Sequence, residues 1–138
     1  MIAYIDSSVL MRVVFGQRNA LPEWHTIDRG VSSALIVTES LRTLDRVRLH
    51  ALLSDNEVAR RRSAILALLD SLELVEIDSI VLDRAAQPMP TELNTLDAIH
   101  LASALLWQDW MGLDAVMATH DGALGLAAQA HGFKVLGV

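Results

Sequence analysis

Short apolar runs of strand length alternate along the chain with longer stretches of helical spacing. Ile2-Ala3-Tyr4-Ile5 is the first such run; it stops at Asp6, and Ser7-Ser8 followed by Val9 to Val14 predicts a strand, a turn and a helix. Leu21 to Gly30 predicts a short helix closed by Gly30, and Val31-Ser32-Ser33 is a candidate second strand. A long helix is predicted from about Ala34 to Leu53, and another from Asp55 to Ser71 with Ser54 or Asp55 as its cap. Between Leu72 and Asp78, Leu72, Leu74, Val75 and Ile77 are set against Glu73 and Glu76, a strand pattern. Ile80 to Gln87 reads as a short helix stopped by Pro88 and Pro90. Asn94 or Thr95 then caps a helix that ends near Trp110 and Gly112, with Leu96, Ile99, Leu101 and Leu106 at core spacing. Asp114 to Thr119 is a strand-length run, Gly122 to His131 an Ala-rich helix stopped by Gly132, and Lys134-Val135-Leu136 a last short strand. Strands that alternate with helices predict an α/β fold: a parallel sheet with helices on both faces.

The bulk numbers refine this picture in three ways. At 138 residues the chain is expected to form a single domain over 1–138. Hydrophobic residues make up 52% of it, yet no apolar run approaches the ~18–20 residues of a membrane span. The surplus is expected to cover a subunit or partner interface rather than meet a membrane. Met1 to Asp6 has no basic region and meets an acid at once, unlike a signal peptide, and there is no cysteine for disulfides or thiolate metal sites. A cytoplasmic location is expected. The net charge of −6 argues against passive nucleic-acid binding. It leaves room for an enzyme that holds phosphate through bound cations. Arg42, Arg46, Arg48, Arg60, Arg61 and Arg62 crowd one third of the chain, as either a solvated helix face or a functional patch.

Four acids stand where their surroundings give them no surface role. Asp6 and Asp121 each end a predicted strand, at the edge where open α/β sheets bind ligands. Asp97 lies in the first turn of its helix between apolar neighbours, and Glu39 lies near the start of another helix. Taken singly, each has an ordinary explanation. Asp6 suits a turn, Asp97 the helix dipole, and Glu39 a pairing with Arg42 or Arg46. Taken together, all four project over one edge of the sheet, and carboxylates so gathered repel one another unless cations neutralise them. Hard oxygen donors without a Cys or His cluster suit Mg²⁺ or Mn²⁺ rather than zinc, and two such ions support in-line displacement at a phosphodiester. Thr119 and Ser7 are candidates to hydrogen-bond a ligand carboxylate or a metal-bound water. His100, three residues after Asp97, reads first as a buried structural histidine and second as a group that orients a carboxylate or contacts RNA.

Four segments carry a resemblance: Tyr4-Ile5-Asp6-Ser7-Ser8; Ser33-Ala34-Leu35 through Glu39 to Arg42; Leu96-Asp97-Ala98-Ile99-His100-Leu101-Ala102 with Ala104; and Thr119-His120-Asp121 with Leu124. In this order they resemble the PIN-domain family, and within it the VapC-type toxins of toxin–antitoxin pairs. The resemblance implies a three-layer α/β/α sandwich around a mostly parallel sheet. It implies a Mg²⁺- or Mn²⁺-dependent ribonuclease, with Asp6, Glu39, Asp97 and Asp121 as the acidic metal site and Thr119 as the hydroxyl beside it. It also implies a homodimer and a cognate antitoxin. By analogy the antitoxin groove is expected between Leu10–Val14 and the helices spanning Arg42–Arg62.

Rival readings of the same residues are less consistent with them. A haloacid-dehalogenase-type phosphatase wants a second Asp two residues after the first, where this chain has Ser8. That chemistry, like a phosphoacceptor receiver domain, also wants a Lys, and the only one here is Lys134. A catalytically silent PIN-like binding module has no need of all four acids. A DNA-directed nuclease of the same fold remains open, with the small size favouring RNA.

Overall fold

The computed structural model describes residues 1–138. Five strands, β1 (Ile2–Ile5), β2 (Arg29–Ser33), β3 (Glu73–Val75), β4 (Val116–Ala118) and β5 (Val135–Leu136), form one sheet in the order β3-β2-β1-β4-β5. Every pairing is parallel, so the sheet is wholly rather than mostly parallel. Six helices connect and flank the strands: α1 (Ser7–Val14), α2 (Leu35–Ala51), α3 (Asp55–Asp70), α4 (Ser79–Ala85), α5 (Thr95–Met111) and α6 (Gly122–Ala130). No helix is long and apolar enough to cross a membrane.

The alternation of side chains along β1 divides the core in two. Ala3 and Ile5 pack with Val9, Leu10, Ile36, Leu44, Ile65 and Leu69 from α1, α2 and α3. Tyr4 faces the other way and packs with Val81 of α4, Leu101 and Trp107 of α5 and Leu124 of α6. The result is the expected three-layer sandwich, with β1 buried at its centre. From β1 the sheet grows toward β2 on one side and toward β4 on the other. The boundary between β1 and β4 is therefore the switch point of the topology, where a crevice opens beyond the carboxyl ends of the strands. Backbone pairing continues past the strand ends there: the Asp6 N–H donates to the Ala118 carbonyl (3.0 Å) and the Thr119 N–H to the Leu136 carbonyl (3.0 Å).

Where the structure departs from the sequence expectations, the reasons are tertiary. Gly30 is not a helix stop; the helical turn is a short 3₁₀ segment, Pro22–Thr26, and Gly30 lies inside β2. A Cβ at Gly30 would meet Leu72 Cδ2 at 2.5 Å and Ile5 Cδ1 at 2.9 Å, so the residue is small because α3's exit and β1 press on the strand. The strand predicted over Leu72–Asp78 pairs only over Glu73–Val75, and Asp78 instead caps α4 by accepting from the Val81 N–H (3.0 Å). No groove opens between Leu10–Val14 and the arginine-bearing helices. Leu10 and Val14 are buried, and Arg61 closes the seam by donating to the Val14 carbonyl (2.7 Å) and lying over the Phe15 ring. What is left between α2 and α3 is a hollow of about 100 Å³ lined by Leu41, Leu44, Asp45, Arg48, Val58 and Arg62.

The tail after β5 is fastened to the loop that follows β4. The His120 Nδ1 is 2.7 Å from the Gly137 carbonyl, and Gly137 has φ +100°, where a Cβ would drive into the Thr119 carbonyl. Gly137→Ala is expected to lower the stability of the protein by about 1–3 kcal/mol, read from urea unfolding, because it combines a left-handed backbone with that collision.

Candidate active site

Each of the four acids is delivered by a different element. Asp6 follows β1 and stands at the N-terminus of α1 in extended backbone, yet its side chain caps nothing. Its Oδ2 instead accepts from Ser8 Oγ (2.5 Å) and Thr119 Oγ1 (2.9 Å), while Ser7 Oγ makes a longer 3.5 Å approach to Oδ1. Thr119 and Ser8 are relay points in turn. Thr119 Oγ1 accepts from the Asp121 N–H (2.9 Å) and Ser8 Oγ from the His120 N–H (3.0 Å). One buried carboxylate oxygen is thus tied through two hydroxyls to the loop after β4, and β1 and β4 are locked together at the switch point. Asp6 is only 5% exposed, so this saturation is what makes its burial tolerable.

Asp121 spends one oxygen on structure: its Oδ1 accepts from the N–H groups of Ala123 and Leu124 (2.8 and 3.0 Å) and caps α6. Asp97 is set by the cap before it. Asn94 Oδ1, rather than Thr95, accepts from the Asp97 N–H (2.9 Å) and starts α5 so that Asp97 falls in its first turn. The Asp97 carboxylate receives no hydrogen bond from any side chain or backbone group. Half-burial, and then the charges of Asp121, Asp6 and Glu39, push it up to about 6 against the pull of His100. The shift is an electrostatic record of convergence: Asp97 feels all three of the other acids.

Glu39 does not pair with Arg42 or Arg46. Arg42 turns to Asp45 (3.2 Å), and Glu39 Oε1 lies 2.6 Å from His100 Nε2. His100 is completely buried, as expected of a structural histidine, and it also lies within hydrogen-bond reach of a carboxylate. The same Nε2 stands 3.9 Å from Asp6 Oδ1, and Nδ1 is 3.0 Å from the Tyr4 hydroxyl. Burial pulls the imidazole down, but the hydrogen bond and charge of Glu39, with Asp6 and Asp97 behind it, outweigh burial and leave it raised. Burial also pushes the Tyr4 phenol up, so it stays protonated.

Sequence reasoning named Asp6, Glu39, Asp97, Asp121 and Thr119, and these five meet at one end of the sheet. It missed Ser8 and Tyr4. The doubled serine after Asp6 was a signal for the first; nothing local marks the second, whose partner is 96 positions away. Beside the acids, Arg42 and Arg46 line a groove of about 360 Å³ with Ser7, Thr38, Glu39 and Leu96. Two arginines of α2 therefore line the same groove as Glu39, with the Arg42 guanidinium paired to Asp45.

No three His, Asp or Glu side chains close into a ready-made cage for a cation. The donor chemistry nonetheless fits a hard divalent ion. Asp97 has both oxygens without a donor, and Asp121, Glu39 and Asp6 each keep one oxygen that receives no normal-length hydrogen bond. These are anionic oxygens only, and burial together with the charges of its neighbours raises Asp97.

Comparison with known proteins agrees with this geometry. The family model described as the PIN domain matches residues 3–109, a span that includes Asp6, Glu39 and Asp97. Ribonuclease VapC46 of Mycobacterium tuberculosis (strain ATCC 25618 / H37Rv) is 35% identical over 137 residues, covering 96% of this chain and 95% of the relative. Ribonuclease VapC35 of M. tuberculosis (strain CDC 1551 / Oshkosh) is 30% identical over 138 residues, covering 96% and 94%. Among solved structures, PAE2754 from Pyrobaculum aerophilum superposes with a TM-score of 0.59 at 19% identity, over 97% of this chain and 83% of that one. A member of the VapBC family of toxin-antitoxin systems, VapBC-5 from M. tuberculosis, gives 0.55 at 18% identity, over 97% and 94%. At such identities these two superpositions speak to the fold.

Burial and acidic neighbours at Asp97 have a measurable consequence. Its folded-state value of about 6 lies above the ordinary 3.8, so the folded protein keeps a proton that the unfolded chain gives up. Stability present below the ordinary value is then lost as pH rises toward the folded one. In chelator, Asp97→Asn is expected to melt about 2–4 °C above the parent protein at about pH 7.5, with the difference vanishing near about pH 4; the effect is modest because a half-buried carboxylate is partly screened.

Proposed function

This chain belongs to the PIN-domain family, with VapC ribonucleases among its relatives, and from that premise we propose that it is a metal-dependent endoribonuclease acting as the toxin of a toxin–antitoxin pair. The observation that carries the reading is the gathering of four carboxylates at the β1/β4 switch point, with Asp97 raised first by burial and then by the charges of the other three. Such a cluster destabilises the protein by itself and becomes favourable when a cation joins it. The proposed ligands are Asp6, Glu39, Asp97 and Asp121, and the proposed ion is Mg²⁺ or Mn²⁺. When bound, such an ion supplies the Lewis-acid charge that stabilises the attacking and leaving oxygens of an in-line phosphodiester displacement.

The chain's own residues prepare that chemistry. Ser8 and Thr119 fix Asp6 by one oxygen and leave the other without a normal-length hydrogen bond. Asp121 divides its carboxylate in the same way between the α6 cap and the site. Asp97, without a hydrogen-bond donor of its own, is the acid with most to gain from a cation. Arg42 and Arg46 give the phosphates flanking the scissile one a cationic wall, which reconciles a chain of net charge −6 with an RNA substrate. Sequence preference would then come from groove shape and from bases splayed out of a single-stranded loop.

As in the VapBC systems, an antitoxin is the proposed partner, and a homodimer the proposed assembly. Exposed apolar side chains support surfaces of that kind: Leu49 and Leu52 at the end of α2, Ile80 and Leu82 on α4, and Trp110, Met111 and Leu113 where α5 ends. The acids, the full PIN complement of this fold, weigh against a silent binding module.

The test is cleavage of total RNA by the purified protein freed of any partner. Cutting is expected with Mg²⁺ or Mn²⁺, none is expected in EDTA, and Asp97→Asn is expected to lose at least about 100-fold in rate. Cutting that survives both EDTA and Asp97→Asn would refute the reading.

A further inference from the structure

His100 and its neighbour Tyr4 are buried ionisable side chains that the proposed chemistry leaves without a task. His100 lies one turn beyond Asp97 on α5 and is 0% exposed, so it meets neither substrate nor solvent. Both of its ring nitrogens are nevertheless engaged. Nε2 reaches Glu39 Oε1 at 2.6 Å, and Nδ1 reaches the Tyr4 hydroxyl at 3.0 Å. A carboxylate only accepts, so the network assigns the proton on Nε2 to the Glu39 side. The Tyr4 ring is itself 1% exposed and stands edge-on to the imidazole, with centroids 6.0 Å apart and planes at 81°.

The chain Tyr4–His100–Glu39 runs from the most constrained part of the protein to the least constrained acid. Tyr4 is on β1, held between Val31 of β2 and Met117 of β4. Glu39 is on α2, 19% exposed at its side chain, with three side-chain torsions to fix and no hydrogen bond except the one from His100. The other acids are placed by short side chains at helix starts. Glu39 reaches the crevice from the second turn of its helix and needs a brace. Because Nε2 is committed to Glu39 and the ring is enclosed, His100 is not itself a ligand. Resting on the nuclease reading above, we propose that His100, anchored by Tyr4, is a positioning residue that presets Glu39 to receive the divalent ion.

Mn²⁺ binding by the partner-free protein, followed by electron paramagnetic resonance, tests this without any need for activity. His100→Asn keeps a group facing Tyr4 but no longer reaches Glu39; it is expected to weaken Mn²⁺ binding about 10–100-fold. His100→Gln restores a donor near the Nε2 position and is expected to recover most of that loss. Tyr4→Phe, which removes one oxygen and keeps the ring, is expected to weaken binding a few-fold in a protein that still folds, with a melting temperature lowered by several degrees at most; it carries the test if His100→Asn does not fold. In a Glu39→Gln background, His100→Asn is expected to cost no further affinity, because its effect passes through Glu39. Mn²⁺ affinity unchanged in folded His100→Asn, or in Tyr4→Phe if His100→Asn does not fold, would overturn the proposal, as would a loss fully additive with Glu39→Gln. The outcome that instead sinks the underlying nuclease reading is separate: parent protein that binds no Mn²⁺, or RNA cutting that persists in Asp97→Asn.

Discussion

Repulsion among carboxylates at the open end of a parallel sheet is the constraint to which the rest of this structure answers. Like charges gathered in a half-buried crevice cost several times what they would in water, and nothing in the acids themselves keeps them together. The fold does so by making each acid part of something it cannot give up. Asp6 is hydrogen-bonded across the junction of β1 and β4, Asp121 caps α6, Asp97 follows directly from the Asn94 cap, and Glu39 is tied to an imidazole in the core. Removing the charge would relax the crevice, which is why Asp97, raised by burial and by its acidic neighbours, is expected to stabilise the protein when neutralised.

The two cores supply the counterweight. Ala3 and Ile5 anchor α1, α2 and α3 on one face, and Tyr4 anchors α4, α5 and α6 on the other, so every element that delivers an acid is bound to β1 or to a strand beside it. Burial at about 25 cal/mol per Å² makes such packing far stronger than the penalty at a single carboxylate. Function therefore draws on stability at one edge of an otherwise ordinary α/β core, a pattern common to sites that need pre-organised charge.

How much of this was legible in the sequence follows from the range of the interactions. Asp6 and Asp121 were readable because each ends an apolar run of strand length, and Asp97 because Asn94 announces the helix that carries it. The alternation of strands and helices foretold a layered parallel sheet. Glu39 was placed among the acids, but its neighbour was misread. Local spacing points to Arg42 or Arg46, whereas the residue it meets is His100, 61 positions on, and only the packed core brings them together. Gly30 failed in the same way: a glycine after a polar stretch looks like a helix stop, yet it is small to admit Leu72 and Ile5. The groove expected beside Leu10–Val14 is filled core, because the spacing that marks an apolar helix face does not say whether a partner chain or the protein itself covers it.

The central claim is that Asp6, Glu39, Asp97 and Asp121 share a divalent ion, and a crystal structure of the partner-free protein grown with Mn²⁺ tests it most directly through the anomalous signal of the metal. The account predicts a manganese peak bounded by Asp97, Asp6 and at least one of Glu39 and Asp121, with the Glu39–His100 contact intact. A peak elsewhere on the protein, or none in this crevice at saturating Mn²⁺, would contradict it.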